Sequence, residues 1–294
     1  MTPRELPSRR FLSARRIFAG VAIAYALMVI GYLALRLPFS DDSGGLVAAL
    51  LGIGSSLMPA LLFPALPLAI GAALLRLPRV ALLLAPAGLA FALLYGGMLL
   101  PRPAATGEPL VVVYSHNLHV MVDGLEAAAG SIRASGVDVI ALQELTEPAA
   151  AFLGAELQDI YPYQQLNPVG LTTAGTGILS RWPLMDAEIW QSAMLQMRVT
   201  VNSPHGPFAF YSAHPPPPHW FLRAFDTSGR AAALASILDR AAHETLPVVL
   251  AGDFNLTDQT SDYQRILAAG FTDSFRERGW GLGLTFADFG AYFA

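Results

Sequence analysis

Cysteine is absent from the 294 residues, which excludes disulfides, thiolate metal sites and cysteine nucleophiles. Lysine is absent as well, so all 18 basic side chains are arginines, a habit to which no functional weight is attached. Charge of either sign is scarce, at 14% of residues against roughly 25% in an ordinary soluble domain. With 54% hydrophobic residues and a mean hydropathy of +0.47, the composition fits neither a disordered chain nor a wholly soluble one. There is no internal repeat.

The few charges divide unevenly. Residues 1–103 hold nine Arg against Glu5, Asp41 and Asp42, a net of +6, whereas residues 104–294 hold nine Arg against nineteen acids, a net of −10. All six His lie in the second half.

Three apolar runs dominate the first half. Residues 17–35 are nineteen uncharged positions, enough to cross a ~30 Å hydrocarbon core as a helix. Residues 43–75 form a 33-residue uncharged run, too long for one straight span and too short for two with a loop. One span kinked or ended by Pro59, Pro64 and Pro67 fits best. Residues 80–100 supply the third run. The expectation is three transmembrane helices, at about 17–35, 46–70 and 80–100, in a membrane anchor over 1–103. They contain no internal acid, His or Arg, so an ion or proton path has nothing to run on.

Orientation follows from arginines in short loops. Arg4, Arg9, Arg10, Arg15 and Arg16 precede the first run, and Arg76 and Arg79 follow the second. Arg36 and Arg102 lie on the other side, beside Asp41 and Asp42. The N-terminus is therefore expected in the cytoplasm and the C-terminal domain outside the cell membrane. Ser8-Arg9-Arg10-Phe11-Leu12 resembles a twin-arginine export signal lacking its spacer, but no Ala-x-Ala cleavage site follows, so a retained anchor is expected.

After a linker at 104–109 the pattern changes to short apolar strands alternating with amphipathic helices. Strands are expected at 110–114, 137–142, 178–180, 195–201, 208–212 and 247–251, with helices at 123–135, 228–242 and 262–269. Residues 202–207 make a hairpin-type turn, and Gly136 and Gly270 sit where helices should stop. This mixture implies an α/β layered fold over 110–294.

The polar residues gather at strand ends, where open α/β sheets bind ligands. Strand one ends in Ser115-His116-Asn117-Leu118-His119, strand two in Gln143-Glu144, the hairpin strand in Ser212-Ala213-His214, and the later strand in Gly252-Asp253-Phe254-Asn255. Glu144, Asp253 and Asn117 offer the carboxylate and amide oxygens that a hard divalent cation such as Mg²⁺ prefers, if the four ends converge. His214 is suited to stabilising charge that develops on a phosphoryl oxygen. Taken singly, Glu144 is a solvated strand end and Asp253 a turn residue. His116 is expected to face a neighbouring layer, His205 belongs to a turn, His219 follows a proline-stiffened loop, and His243 caps a helix C-terminus. None of these four is assigned a role. Aromatic residues around 271–289 read as core.

At these residues the sequence resembles the endonuclease/exonuclease/phosphatase superfamily, whose fold is the four-layer α/β sandwich of deoxyribonuclease I. The matches run in order: a strand ending in Asn117, Leu-Gln-Glu at 142–144, Gly-Ile-Leu-Ser-Arg at 177–181, Ser-Ala-His at 212–214, and Gly-Asp-Phe-Asn at 252–255. The resemblance implies that Glu144 binds Mg²⁺ (or Mn²⁺) with Asn117 beside it, as the metal-side residues. It implies that Asp253 orients or deprotonates the attacking water, that Asn255 holds the phosphate, and that His214 contacts the scissile phosphate. His119 falls where many members carry an acidic or His residue near the metal, and its role stays open.

Members normally close with an Ile-Asp-Tyr-like strand and a Ser-Asp-His motif. Here Leu284-Thr285-Phe286 is similar to the segment preceding those strands, and no Ser-Asp-His occurs, so either a C-terminally truncated chain or an impaired enzyme of low activity is expected. Three functions follow: a membrane-anchored, extracytoplasmic, Mg²⁺-dependent phosphoesterase acting on a lipid-linked or small phosphorylated substrate; a surface nuclease; or a non-catalytic membrane protein that keeps the fold for binding. Three helices before this domain resemble bacterial membrane-bound members of the superfamily thought to act on polyprenyl pyrophosphate. A domain at net −10 without Lys is poorly suited to duplex nucleic acid, whose binding relies on basic side chains neutralising phosphates.

Overall fold

The structure is a computed structural model that describes residues 9–42, 44–102, 107–120, 124–221 and 224–285. Residues 104–106 of the expected linker, the helix start at Asp123 and the closing stretch from Phe286 lie outside the described residues. The chain divides into two compact units, one built on residues 1–105 and the other on 106–257 with 262–269.

The first unit is helical. α1 (Arg9–Leu35) and α5 (Pro78–Tyr95) lie at either end of it, with α2 (Gly45–Ser56), α3 (Met58–Leu62) and α4 (Ala65–Leu74) between them. Two stretches are long and apolar enough to cross a membrane, Ser13–Leu35 and Pro78–Leu99, with mean hydropathies of 2.2 and 1.9. The middle run is not one straight helix. Gly45–Ser56 and Met58–Leu74 meet at 85°, and only as a broken pair do they count as a third candidate span. Pro59 contributes to the break: it has no N–H for the helix bond to Ser55, and two residues earlier Leu57 leaves helical geometry at φ −107°, ψ 15°. Tyr25 Oη donates to the Leu61 carbonyl at 2.7 Å and Tyr32 Oη to the Leu51 carbonyl at 3.2 Å, so the broken stretch gains polar partners within the unit.

This unit also takes in Asp258–Ser261 and the residues from Gly270, although the sequence groups them with the α/β domain. The cause is a set of polar contacts at helix ends. Tyr95 Oη donates to Asp258 at 3.4 Å, Arg276 pairs with Asp258, and Arg276 Nη2 donates to the Leu94 carbonyl at 2.8 Å. Arg36 donates to the Gln259 carbonyl at 3.0 Å, the Ser261 N–H to Asp41 at 2.9 Å, and the Gly281 N–H to the Met98 carbonyl at 2.8 Å. Two of the acceptors, the Leu94 and Met98 carbonyls, lie at the C-terminal ends of helical turns, where carbonyls have no partner inside the helix, and Arg276 and Gly281 supply one. The aromatics expected as core here are not all so: Trp280 is 71% exposed.

The second unit is the α/β one. In chain order it holds β1 (Val113–Asn117), α6 (Leu125–Ser135), β2 (Val139–Gln143), α7 (Glu147–Glu156), β3 (Tyr163–Asn167), β4 (Thr176–Ser180), β5 (Leu184–Ser192), β6 (Met194–Ser203), β7 (Gly206–Ala213), β8 (His219–Phe221), β9 (Ala224–Asp226), α8 (Ser228–Ala242), β10 (Val248–Gly252) and α9 (Ser261–Ala268). One sheet runs β1-β2-β4-β3, the other β10-β7-β6-β5. Each has one parallel pair, β1 with β2 and β7 with β10, and antiparallel partners beyond it.

Strand alternation builds the layers. Val139, Ala141 and Ile178 face the second sheet and meet Val199, Phe208 and Phe210. Ile140, Leu142 and Leu179 face the other way, against Ile132 of α6 and Leu153 of α7. Each such buried Leu, Ile or Phe contributes about 1.5–3 kcal/mol. On the outer face of the second sheet, Trp190 donates to Ser236 of α8 at 3.0 Å. The observed order is helices, sheet, sheet, helix. Gly136 ends α6 as expected, with φ 65°.

Two outcomes test this packing. Arg276→Met in the detergent-solubilised full chain is expected to lower stability by about 1–3 kcal/mol, visible in its thermal midpoint, while Arg278→Met at an exposed position leaves the midpoint unchanged. In the second unit Arg198 holds Glu244 through bonds of 2.7 and 2.9 Å, and Tyr211 Oη donates to the same carboxylate at 2.9 Å. The Arg198 hydrogen bond, helped by Tyr211, holds the Glu244 carboxyl below the usual range against the opposing effect of burial. A depressed pKa stabilises fully above the unfolded value near 4.5 and fades as pH falls through the folded one. The stability gap between wild type and Glu244→Gln should therefore be widest at neutral pH and shrink below pH ~4.5.

Candidate active site

Parallel pairing sets the site. In β1 and β2 the register puts Asn117 opposite Gln143, so Glu144 follows at the same edge. In β7 and β10 it puts Ala213 opposite Gly252, so His214 and Asp253 leave their sheet side by side. Face-to-face packing of the sheets then brings the four ends together. Gly252 has φ 149°, and a Cβ there would lie 1.9 Å from the Ala213 carbonyl oxygen, so only glycine lets β10 run so close to β7.

Asn117 links the two carboxylates. Its Nδ2 donates to Glu144 Oε1 at 3.1 Å and to Asp253 Oδ2 at 2.9 Å, while its Oδ1 accepts the His119 N–H at 2.8 Å. The backbone donor fixes which end of the amide faces inward. Of the two residues expected on the metal side, only Glu144 presents an oxygen without a protein partner; Asn117 offers N–H groups. Glu144 is 8% exposed, sits at φ 55°, and its Oε2 is buried with no hydrogen bond. His214 Nε2 lies 3.9 Å from Glu144 Oε1. Burial pushes the His214 imidazole below its usual pKa, outweighing the opposite pull of Asp253 and Glu144, and neither ring nitrogen has a partner. Two carboxylates thus face a neutral imidazole and an amide, and among the described residues no arginine pairs with either of them.

Asn255 completes the group. Its N–H donates to Asp253 Oδ1 at 2.9 Å and its Nδ2 to the Pro215 carbonyl at 2.9 Å, with its backbone at φ 50°. His119 contributes its backbone, and its side chain is exposed. His116 packs edge-on against Tyr114 with ring centroids 5.6 Å apart, and burial lowers its pKa. His205 lies in the β6–β7 turn, and His243 caps α8 with Nδ1 2.7 Å from the Asp239 carbonyl. Neither belongs to the group.

Four supporting residues hold these groups in place; Gln143 and Ser212 fall within the strand-end motifs, whereas Gln196 and Thr176 gave no sequence signal. Gln196 clamps His214 through its backbone, donating to the carbonyl at 2.8 Å and accepting the N–H at 2.7 Å. Gln143 donates to Ser212 Oγ at 3.2 Å across the two sheets, and Ser212 shares a 2.9 Å bond with Thr176. All four are buried.

Among the described residues no group of three or more His, Asp and Glu side chains is arranged to hold a metal ion. Both Asp253 oxygens already accept a hydrogen bond, from Asn255 and Asn117, so of the two carboxylates Glu144 has the oxygen left for a hard cation such as Mg²⁺. The buried, unpartnered Glu144 Oε2 is where such an ion fits.

Gln196→Leu should leave a buried N–H and C=O of His214 unsatisfied and cost about 2–5 kcal/mol, read as a fall in the thermal midpoint. An unchanged midpoint would show that the clamp is not formed.

Among curated proteins no relative matches. Similar solved structures include a beta-toxin mutant from Staphylococcus aureus with bound magnesium ions, at 17% identity, 55% of this chain, 70% of that one and TM-score 0.44. Sphingomyelinase C from Streptomyces griseocarneus aligns at 22% identity, 55% and 70% coverage and TM-score 0.43. An endonuclease/exonuclease/phosphatase family protein from Leptotrichia buccalis aligns at 20% identity, 56% and 77% coverage and TM-score 0.45. The model of the Endonuclease/Exonuclease/phosphatase family matches residues 114–293, more than half of the chain. With its strand ends converging on Asn117, Glu144, His214, Asp253 and Asn255, this chain belongs to that family.

Proposed function

We propose that the chain is a membrane-anchored, extracytoplasmic, Mg²⁺-dependent phosphoesterase acting on a lipid-linked or small phosphorylated substrate. The observation that carries the reaction class is the buried, unpartnered Glu144 carboxylate oxygen, grouped with Asp253, Asn117 and His214 at the ends of two paired sheets. Family membership supplies hydrolysis of phosphate esters as the chemistry to be tested.

Each residue then has a role. Glu144 holds Mg²⁺, and Mn²⁺ is the substitute; when bound, the ion polarises a phosphoryl oxygen as a Lewis acid. Asn117 keeps Glu144 and Asp253 apart and oriented by spending one N–H on each. Asp253 accepts the proton of the attacking water. Asn255 has one amide hydrogen committed to the Pro215 carbonyl and gives the other to a phosphate oxygen. His214, neutral through burial, donates from a ring N–H to the oxygen on which charge develops.

The substrate class rests on the first unit. Two stretches, or three with the broken pair, are long and apolar enough to span a bilayer, and large side chains such as Ile17, Val21, Leu82 and Leu93 are exposed along them. Arginine placement supports a cytoplasmic N-terminus. A substrate embedded in the membrane is then held in the same two dimensions as the enzyme. The acidic balance of residues 104–294 weighs against duplex nucleic acid.

The purified full chain in detergent is expected to release phosphate from a polyprenyl pyrophosphate with Mg²⁺ and to leave supercoiled plasmid DNA intact. Asp253→Asn and His214→Ala should each reduce the rate by about 10²–10⁴-fold. Plasmid nicking without lipid hydrolysis would replace this function with the nuclease, and neither activity together with no binding of Mg²⁺ or Mn²⁺ would favour the non-catalytic protein that keeps the fold for binding.

A further inference from the structure

Among the described residues of the α/β unit, Arg230 is the most deeply buried cation, 2% exposed, in the first turn of α8. Its guanidinium does two things at once. Nε donates to Asp262 Oδ2 at 2.7 Å, and Nη1 donates to the backbone carbonyl of Asn255 at 2.8 Å. Asp262 is itself 1% exposed and takes a second arginine, Arg265, on Oδ1 at 2.5 Å. A lone buried ion pair is weak grounds for a role, because apolar residues of similar volume often replace one without loss. The bond to Asn255 is different, since it reaches the candidate site through the main chain.

Asn255 is held by three bonds in a strained conformation. Its N–H is bonded to Asp253, its side chain to Pro215 next to His214, its carbonyl to Arg230, and its φ of 50° is a left-handed value that a non-glycine residue adopts at a cost. Such a conformation persists only where its surroundings over-determine it. The bond from Arg230 is the one that comes from outside the strand-end loops, and it needs a planar fork: one arm on Asp262, one on the carbonyl. A lysine presents a single point charge and cannot reproduce both arms in that geometry.

We propose that Arg230 is a positioning residue, which locks the Asp253–Asn255 turn so that the Asp253 carboxylate and the Asn255 amide stand ready together, with Asp262 as the counter-charge that lets the guanidinium be buried. The assignment of catalytic roles to Asp253 and Asn255 rests on the function proposed above; the locking of the turn does not.

The test compares Arg230→Lys, Arg230→Met and Asp262→Asn with wild type as full chains in detergent. Three readouts are taken: thermal midpoint, hydrogen exchange of a peptide covering 251–257, and Mg²⁺-dependent hydrolysis of bis(p-nitrophenyl) phosphate. Arg230→Lys keeps the charge opposite Asp262, so its midpoint should stay close to wild type. Its 251–257 peptide should exchange faster, and its kcat per folded molecule should fall about 10- to 100-fold, the usual cost of losing an outer partner of a site. A merely structural ion pair predicts the reverse, with lysine rescuing activity along with stability. Asp262→Asn, which keeps an acceptor for Nε, should retain protection of the 251–257 peptide even if its midpoint drops. Wild-type activity or unchanged loop exchange in Arg230→Lys overturns the proposal. So does loop exchange in Asp262→Asn as fast as in Arg230→Met. If wild type neither binds Mg²⁺ nor hydrolyses the diester, the proposed function fails, and the exchange data alone decide the locking of the turn.

Discussion

The amide of Asn117 is the interaction on which the candidate site depends. One NH₂ group reaches a carboxylate from each sheet, Glu144 at 3.1 Å and Asp253 at 2.9 Å, and a backbone N–H from His119 fixes its orientation from behind. Two carboxylates brought this close repel each other, and their shared donor offsets only part of that cost. The remainder shows as a buried Glu144 oxygen with no partner and an imidazole held neutral beside it. A fold that accepts this imbalance is less stable without a cation than it could be, which is the usual exchange of stability for function at active sites.

The sheets make that imbalance possible because their polar residues bond across the apolar interior. Gln143, Ser212 and Thr176 link the two inner faces, and Gln196 takes both backbone groups of His214. Satisfied polar groups of this kind rigidify a core, whereas half-satisfied ones would weaken it. On the far side Arg230 holds Asn255 from α8. The helical unit follows separate logic: apolar side chains are exposed along the helices, and polar bonds collect at their ends, where Asp258, Arg276 and Arg36 find partners.

Much of this was legible in the sequence, and the limits have physical causes. Strand-end motifs such as Gly-Asp-Phe-Asn at 252–255 can be read because polar residues that stop an apolar run stand out locally, and parallel pairing then carries them to one edge. The bonds made by Gln143 and Gln196 could not be read, because their partners lie 69 and 18 positions away, and Gln196, inside a strand, has no local signature. Arg230 was hidden likewise, since an arginine in a first helical turn is ordinarily solvated. α7 escaped detection although Thr146 caps it through the Ala149 N–H, because its alanine-rich face gives little periodicity. β3, spelled Tyr-Gln-Gln-Leu-Asn, is an edge strand whose alternation is blurred by glutamines. In the middle apolar run Pro59 announced a break, but its 85° angle follows from tertiary packing.

On the function proposed above, Glu144 stands at the heart of a cation site formed by the strand ends. Calorimetric titration of Mg²⁺ into the full chain and into Glu144→Gln tests it most directly, since the glutamine preserves shape and removes the uncompensated charge. Wild type is expected to bind one Mg²⁺ and Glu144→Gln none detectably, with the metal-free variant at least as thermally stable as metal-free wild type. Equal Mg²⁺ binding by both proteins would contradict it.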